Sequence, residues 1–310
     1  MPAGPIEPDE PGDSHAPAGP WAWREGALYA AAPAKLNLDL RVGPPREDGF
    51  HPLDSLVAKV AFYDRIALRD RPDGQVVLHC SSEDCGPAER NLAYRAAETV
   101  QAAWAPGRGV EIHLQKAIPP GKGLGGGSSD AAAVLRALPQ LWGLDVPPDA
   151  LAELALSLGS DVPLFLGPPG LVMTSRGEAW RPVQLPPFLA VLFLPALACA
   201  TAGVYRQFDA LDRSGDWQRP GPVEQMVAGP PSRWRGQLVN HLAPAAEALC
   251  PPLAGVRRQL AEAIGLPVQL TGSGSAMFVL CDDADEAQQV TARVPDAFDG
   301  EARVVGACPW

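Results

Sequence analysis

Pro119 to Ala133 reads PPGKGLGGGSSDAAA, and its residue types point to anion chemistry. Five glycines, at 121, 123, 125, 126 and 127, stand beside two hydroxyls, Ser128 and Ser129, and an alanine-rich run follows. Glycine has no Cβ, so its backbone can take positive φ and approach a ligand closely. A helix start presents unpaired N–H groups and the positive end of the macrodipole. A glycine run opening into a helix is therefore an anion cradle, and the natural anion is phosphate. Two familiar phosphate loops do not fit. Gly121, Gly123 and Gly126 match G-x-G-x-x-G, but a dinucleotide fold needs a second strand about 20 residues on, ending in an acid; here that region is LDVPPDALAEL, a loop entering a helix. The Walker pattern fails because Gly121-Lys122 is followed by Gly123, with no glycine five residues earlier. A plain helix-capping turn requires far fewer glycines.

Two other places carry candidate chemistry. Lys35 lies in APAKLNLDLRV, Ala32 to Val42, where apolar and polar residues alternate. A lysine in an apolar strand is costly unless paired, and Asn37, two residues on, shares its face. Asp161 stands in GSDVPLFLG. An Asp before Val-Pro is a natural helix start, and a buried carboxylate could equally accept a proton from a hydroxyl. The residues alone leave both readings open. The six cysteines (80, 85, 199, 250, 281 and 308) are scattered and show no CxxC pairing. Neither a zinc site nor a disulfide framework is expected, and free thiols suit a reducing cytoplasm.

The elements that must position these residues follow from periodicity. Residues 1–20, rich in Pro, Gly, Ala and acids, read as a disordered tail. Ala32 to Val42 is a strand with one buried face, and FHPLDSLVAKVAFYDRIALR, Phe50 to Arg69, holds one or two more. Further strands are expected at 74–80, 109–115, 170–176, 181–185, 189–194, 268–270, 276–280 and 301–305. Helices are expected at 91–103, 128–138, 148–158, 238–249, 253–264 and 286–294, the second capped by Ser or Asp. The Pro186-Pro187 pair divides an N-terminal domain, 21–185, from a C-terminal one, 186–310. A polar, Pro/Gly-rich excursion occupies 213–235. Strands and helices mix without strict βαβ alternation, so the fold class is α+β rather than doubly wound.

Composition bounds the partners. The chain has 310 residues, enough for two domains, and a net charge of −11, which disfavours nucleic acid over the whole surface. A local positive site remains possible, and three of the only four lysines (35, 59, 116 and 122) lie in or beside the motifs. The most apolar run, Phe188 to Cys199, is too short to span a bilayer. The N-terminus has no basic and apolar leader pattern, so a cytoplasmic chain, monomeric or weakly dimeric, is expected.

Taken together the segments resemble the GHMP small-molecule kinases. PAKLNLDL (Pro33 to Leu40), PPGKGLGGGSSDAAA and LTGSGSAMFVL (Leu270 to Leu280) are similar to that family's three motifs, in the family's order, and the resemblance spans roughly 28–306. The variant GLGGGSSDAA, together with REDGFHPLDSL (Arg46 to Leu56), resembles the branch whose acceptor is 4-diphosphocytidyl-2-C-methyl-D-erythritol. The resemblance implies a ribosomal-S5-domain-2-like N-terminal domain, a ferredoxin-like C-terminal domain, and transfer of the ATP γ-phosphate to the acceptor's tertiary 2-hydroxyl in isoprenoid precursor synthesis. Mg²⁺ would accompany ATP, and no protein residue is assigned to it; Asp130 suits helix capping better. The resemblance makes Asp161 the proton acceptor and Lys35 its charged partner. It assigns Asn37, Thr201, Gly272 and Ser273 to the acceptor, and Phe50, His51 and Tyr205 to its cytosine. Tyr is commoner than Phe at position 50; Phe keeps the stacking face. Pro119, Gly121, Gly123, Leu124, Gly125, Gly126, Gly127, Ser128 and Ser129 would wrap the ATP phosphates, with Asn91 and Lys116 near adenine and ribose. A mevalonate- or homoserine-type GHMP kinase is the alternative. A catalytically dead nucleotide-binding relative is disfavoured by intact Lys35, Asn37 and Asp161.

Overall fold

The computed structural model describes residues 19–82, 85–211, 217 and 221–310. Most of the N-terminal tail and residues 213–216 and 218–220 of the excursion lie outside them. The first half builds a seven-stranded sheet in the order β1-β2-β3-β5-β4, with β6 on β3 and β7 on β6. Its strands are β1 (Trp21–Arg24), β2 (Ala27–Val42), β3 (Leu53–Arg71), β4 (Val76–Cys80), β5 (Gly109–Gln115), β6 (Gly170–Ser175) and β7 (Ala179–Pro182). Helices α1 (Leu92–Trp104), α2 (Gly126–Trp142), α3 (Pro148–Leu158) and α4 (Val162–Leu166) accompany it. The Phe50 to Arg69 run holds one long strand, which meets β6 through Leu53 to Ala58 and β5 through Arg65 to Arg71.

The second half contributes β8 (Leu189–Pro195), α5 (Thr201–Ala210), α6 (Val223–Met226), α7 (Ala243–Leu249), α8 (Pro251–Ile264), β9 (Gln269–Leu270), β10 (Met277–Cys281), α9 (Ala284–Ala292) and β11 (Gly300–Gly306). Its four strands are antiparallel in the order β11-β8-β10-β9. That is the fourth, first, third and second strand of a ferredoxin-like β-α-β-β-α-β unit. The molecule is thus an α+β protein of the expected two-part build.

The two sheets meet face to face. Ala34, Leu36 and Leu38 of β2 and Leu56, Ala58 and Val60 of β3 join Ala190, Leu192, Phe278 and Leu280 in one buried cluster. The excursion is less polar in place than in sequence: Trp234 is fully buried there, with Val223 and Val227. Five other apolar residues of β2 (Leu28, Ala30, Ala32, Leu40 and Val42) belong to the larger cluster under the helices. The expected single buried face of this strand is therefore wrong. Register shifts at Pro33/Ala34 and Asn37/Asp39 invert the faces between them, as β-bulges do.

Helix boundaries also differ, at the start of α7 and at both ends of α2 most of all. Residues 238–242 are not helical. Val239 and His241 instead bond to the backbone of Leu40 in β2, and Val239 N donates to Asp39 Oδ1 at 2.7 Å. Pro244 lacks the N–H that would continue a helix upstream, so α7 starts at Ala243. The α2 helix starts at Gly126, two residues before the expected Ser128, with left-handed Gly125 as its N-cap and no side-chain cap. Cys80 and Cys85, expected to be free, are joined as a disulfide, while Cys199, Cys250, Cys281 and Cys308 are free. Among the described residues no helix is long and apolar enough to cross a membrane.

Candidate active site

The glycine loop leaves β5 and enters α2 through three left-handed glycines, Gly121, Gly123 and Gly125, with φ of 68°, 78° and 73°. It is held from both halves of the molecule. Lys35 N donates to Leu124 O at 3.0 Å, and Ala276 N donates to Lys122 O at 3.1 Å. Lys122 Nζ donates to the carbonyls of Pro195, at 2.6 Å, and Leu197. At Gly123 the packing is tightest: a Cβ would lie 2.3 Å from Thr271 O. Gly123→Ala combines that backbone overlap with a φ disfavoured for alanine, worth about 1–3 kcal/mol. We expect a melting temperature lower by several degrees; an unchanged melting curve would contradict the tight loop-to-loop seat.

The loop forms one wall of a cleft of about 460 Å³. Pro119, Gly121 and Gly123 to Ser128 line it, as do Lys35 and Asn37 from β2, Asp161 from the start of α4, Thr201 and Tyr205 from α5, and Gly272 and Ser273. The inversion in β2 explains the aim of Lys35 and Asn37: Ala34, Leu36 and Leu38 turn into the sheet–sheet core, so their odd-numbered neighbours face the cleft. Lys35 Nζ donates to Asn37 Oδ1. Asn37 Nδ2 donates to Ser55 Oγ at 2.8 Å, and its backbone N–H donates to Thr271 Oγ1 at 2.9 Å. Burial pushes the Lys35 ammonium below its ordinary value, and the Asp161 carboxylate opposes that shift. Burial, with Asp161 again, raises the Tyr205 phenol. Asp161 occupies the N-cap position of α4, yet its side chain caps no helix N–H. The Gly272 turn closes over this group: a Cβ there would lie 3.2 Å from both Lys35 Nζ and Asn37 Oδ1.

Not every expected residue reaches the cleft. Phe50 stands at the surface, 52% exposed, with the Arg176 guanidinium 4.8 Å from its ring centroid. His51 is buried, with Nδ1 2.8 Å from Gly43 O, Nε2 3.2 Å from Asp209 Oδ1, and its ring 5.4 Å from that of Tyr205. Phe50 and His51 connect to the cleft through Arg176 and Tyr205, which both line it. Asn91 and Lys116 line an adjoining cavity of about 200 Å³ that shares Leu92, Pro120 and Gly127 with the cleft. The Asn91 side chain caps α1 through Ala93 N. Ser129 departs from expectation. Adjacent residues of a helix point about 100° apart, so Ser128 faces the cleft while Ser129 turns to a separate cavity beside Lys59 and Arg136.

Several residues of the site escaped sequence reading. Asp64 of β3 is fully buried and accepts from Ala117 N at 2.6 Å, Ile118 N at 2.8 Å, and Lys116 Nζ. Lys116 also donates to Asp130 Oδ2 at 2.7 Å. Asp130 is thus an ion-pair partner beneath the loop and not a helix cap; desolvation and Asp64 push its carboxyl well above the usual range. Asn240 Nδ2 donates to Leu270 O and Gly272 O, both at 2.9 Å, fixing the second glycine turn. An acid in a strand and an Asn before a helix carry no local signal of such roles.

Two family models match the chain: GHMP kinases N terminal domain over residues 91–167, and GHMP kinases C terminal over 229–300. A 4-diphosphocytidyl-2-C-methyl-D-erythritol kinase of Thermus thermophilus is 43% identical over 262 residues, covering 83% of this chain and 89% of that protein. The protein of the same name from Pelotomaculum thermopropionicum is 38% identical over 267 residues, covering 86% and 93%. Among solved structures, that of a 4-(cytidine 5'-diphospho)-2C-methyl-D-erythritol kinase superposes with a TM-score of 0.73 at 40% identity, covering 90% of this chain and 99% of that one.

Proposed function

From its place in the GHMP kinase family, to which the chain belongs, we propose that this ATP-dependent small-molecule kinase acts on 4-diphosphocytidyl-2-C-methyl-D-erythritol. It transfers the γ-phosphate to the 2-hydroxyl, giving the 2-phosphate and ADP, a step in isoprenoid precursor synthesis. The observation that carries this reading is the convergence of Lys35, Asn37, Asp161, Tyr205 and the glycine loop on one cleft. Relatives of the same name support this branch over a mevalonate or homoserine kinase.

In the proposed reaction the 2-hydroxyl oxygen attacks the γ-phosphorus, its proton passes to Asp161, and the bond to the β-phosphate bridging oxygen breaks to release ADP. Lys35 stabilises negative charge on the attacking oxygen. Asn37, Thr201, Gly272 and Ser273 bind the acceptor. Pro119, Gly121, Leu124 and the residues from Gly123 to Ser128 hold the phosphates, while Asn91 and Lys116 flank the nucleoside. A Cβ at Gly121 would meet nothing, and one at Gly127 only Leu92 Cδ1 at 3.9 Å. That open cradle suits phosphate with its Mg²⁺, beside the Ser128 hydroxyl. When bound with ATP, Mg²⁺ would supply charge neutralisation to the phosphates. We read 21–185 as the ATP-binding half and 186–310 as closing the acceptor side, in a cytoplasmic monomer or weak dimer.

The acceptor assignment is tested by CDP. At one hundred times its Kd a ligand stabilises the fold by about 2.7 kcal/mol, so CDP should raise the melting temperature while mevalonate and homoserine leave it unchanged. The opposite pattern would sink this substrate. Phe50→Ala removes a stacking face worth about 1–3 kcal/mol, so KM for the acceptor should rise roughly 5–150-fold. Because the loss is in binding, kcat and the KM for ATP should stay near wild type.

A further inference from the structure

On the outer face of the first sheet, three side chains that the kinase site does not use point at one another. His79 of β4 and His113 of β5 are register partners on parallel strands, so they share a face. Glu111, two residues before His113, shares that face too. His79 Nε2 lies 3.2 Å from Glu111 Oε1, and His113 Nε2 lies 3.4 Å from the same oxygen. The imidazole rings are 4.6 Å apart between centroids. The buried His113 Nε2, at 3.4 Å from that oxygen, makes no well-aligned hydrogen bond among the described residues. A two-imidazole hydrogen-bonded carboxylate would satisfy it, and this arrangement does not.

We propose that His79, Glu111 and His113 form a binding site for one zinc-class divalent cation. Donors held about 2.0–2.1 Å from a tetrahedral metal are separated by about 3.3 Å along each edge. Two of the three edges here, at 3.2 and 3.4 Å, have that length, and all three donor atoms lie within 4.8 Å of one another. Two imidazoles and a carboxylate suit zinc, cobalt, nickel or copper, whereas magnesium and calcium prefer oxygen alone. Three protein ligands leave a fourth position for water. The Arg69 guanidinium, 3.9 Å from Glu111 Oε2, sits on the other carboxylate oxygen and leaves Oε1 for the metal. His79 is half exposed, so the cation has access.

The site would staple an edge strand to its neighbour. β4 pairs only with β5 among the described strands, and the chain runs from His79 through Cys80 into Ser81. Ser81 N donates to Leu114 O, and Ser81 Oγ accepts from Lys116 N, both at 3.0 Å. A bound cation therefore stiffens the segment beside the cavity of Asn91 and Lys116 without entering the cleft.

The test is zinc titration of untagged, chelator-stripped full-length protein by calorimetry, with cobalt absorption reporting geometry. Wild type should take up one equivalent of Zn²⁺ at this site, at least roughly 100-fold more tightly than Mg²⁺, and Co²⁺ should give the intense visible bands of a low-coordinate site. Zinc should raise the melting temperature. His79→Ala and Glu111→Gln should each weaken zinc binding at least about tenfold and abolish the thermal shift, while kinase turnover of His79→Ala with Mg²⁺ and no added zinc stays at the wild-type level. No zinc uptake by wild type, or equal uptake and shift in both variants, would overturn the proposal. His79→Ala is expected to fold because its side chain is half exposed, and its own melting curve verifies that.

Discussion

Asp161→Asn should lower turnover by about 10²–10⁴-fold, the usual contribution of a positioned general base, with the melting temperature nearly unchanged. The two effects separate its two possible roles. If the carboxylate were only a helix cap, its loss would cost about 0.5–2 kcal/mol of stability and leave chemistry intact. The geometry favours the first outcome. Asp161 has the N-cap position of α4, but its oxygens accept no helix N–H, and it faces Lys35 and Tyr205 closely enough to affect both. Its mount is rigid. Lys59 Nζ donates to Phe165 O at 3.0 Å and Gly167 O at 2.5 Å, clamping the far end of α4. Asn keeps the volume of Asp and can still accept a hydrogen bond from the acceptor hydroxyl, but it cannot take its proton. Coupled ADP release at saturating acceptor measures the loss, and equal turnover of the two proteins would remove Asp161 from the mechanism.

The glycine wall of the cleft was legible because its conformation is local. Positive φ at Gly121, Gly123 and Gly125 can be met cheaply only by glycine, so the loop writes its conformation into its composition. Strand and helix periods likewise located β5 and α3 to the residue. What stayed hidden depends on partners distant in sequence. The inversion of β2 is invisible because Leu36, Leu38, Leu40 and Val42 keep perfect alternation while serving two different cores. Trp234 sits in a Pro/Gly-rich stretch that resembles surface loop until the second sheet supplies a face to bury it. Asp64 is one acid among 36 acidic residues, and only folding brings the backbone of Ala117 and Ile118 to it. Ser129 lines a different cavity from Ser128 because both sit inside α2, which runs from Gly126 and sets adjacent side chains about 100° apart.

Lys35→Met should leave the fold as stable as wild type, or more so, while turnover falls by about 10²–10³-fold. For a structural lysine the reverse would hold, because breaking a needed buried pair is destabilising. Lys35 is buried, and desolvation, partly offset by Asp161, holds its ammonium below the ordinary value of 10.5. A base whose folded pKa is depressed binds fewer protons in the native than in the unfolded state between the two values. Stability due to this residue therefore rises with pH across that window and is lost as pH falls through the folded value. Below its folded value the protein carries the full cost of a buried charge, and Met fills the same volume without it. Chemical unfolding of both proteins between pH 7 and pH 10 should show wild type gaining stability over the variant as pH rises. A flat difference would mean that the ammonium is not destabilised by burial. A large loss of stability at pH 7 would make Lys35 a structural residue, and the role of charge stabiliser at the acceptor oxygen would have to pass to another group. The outcome expected here, a stable fold with little turnover, is what a side chain kept at a stability cost for its chemistry should give.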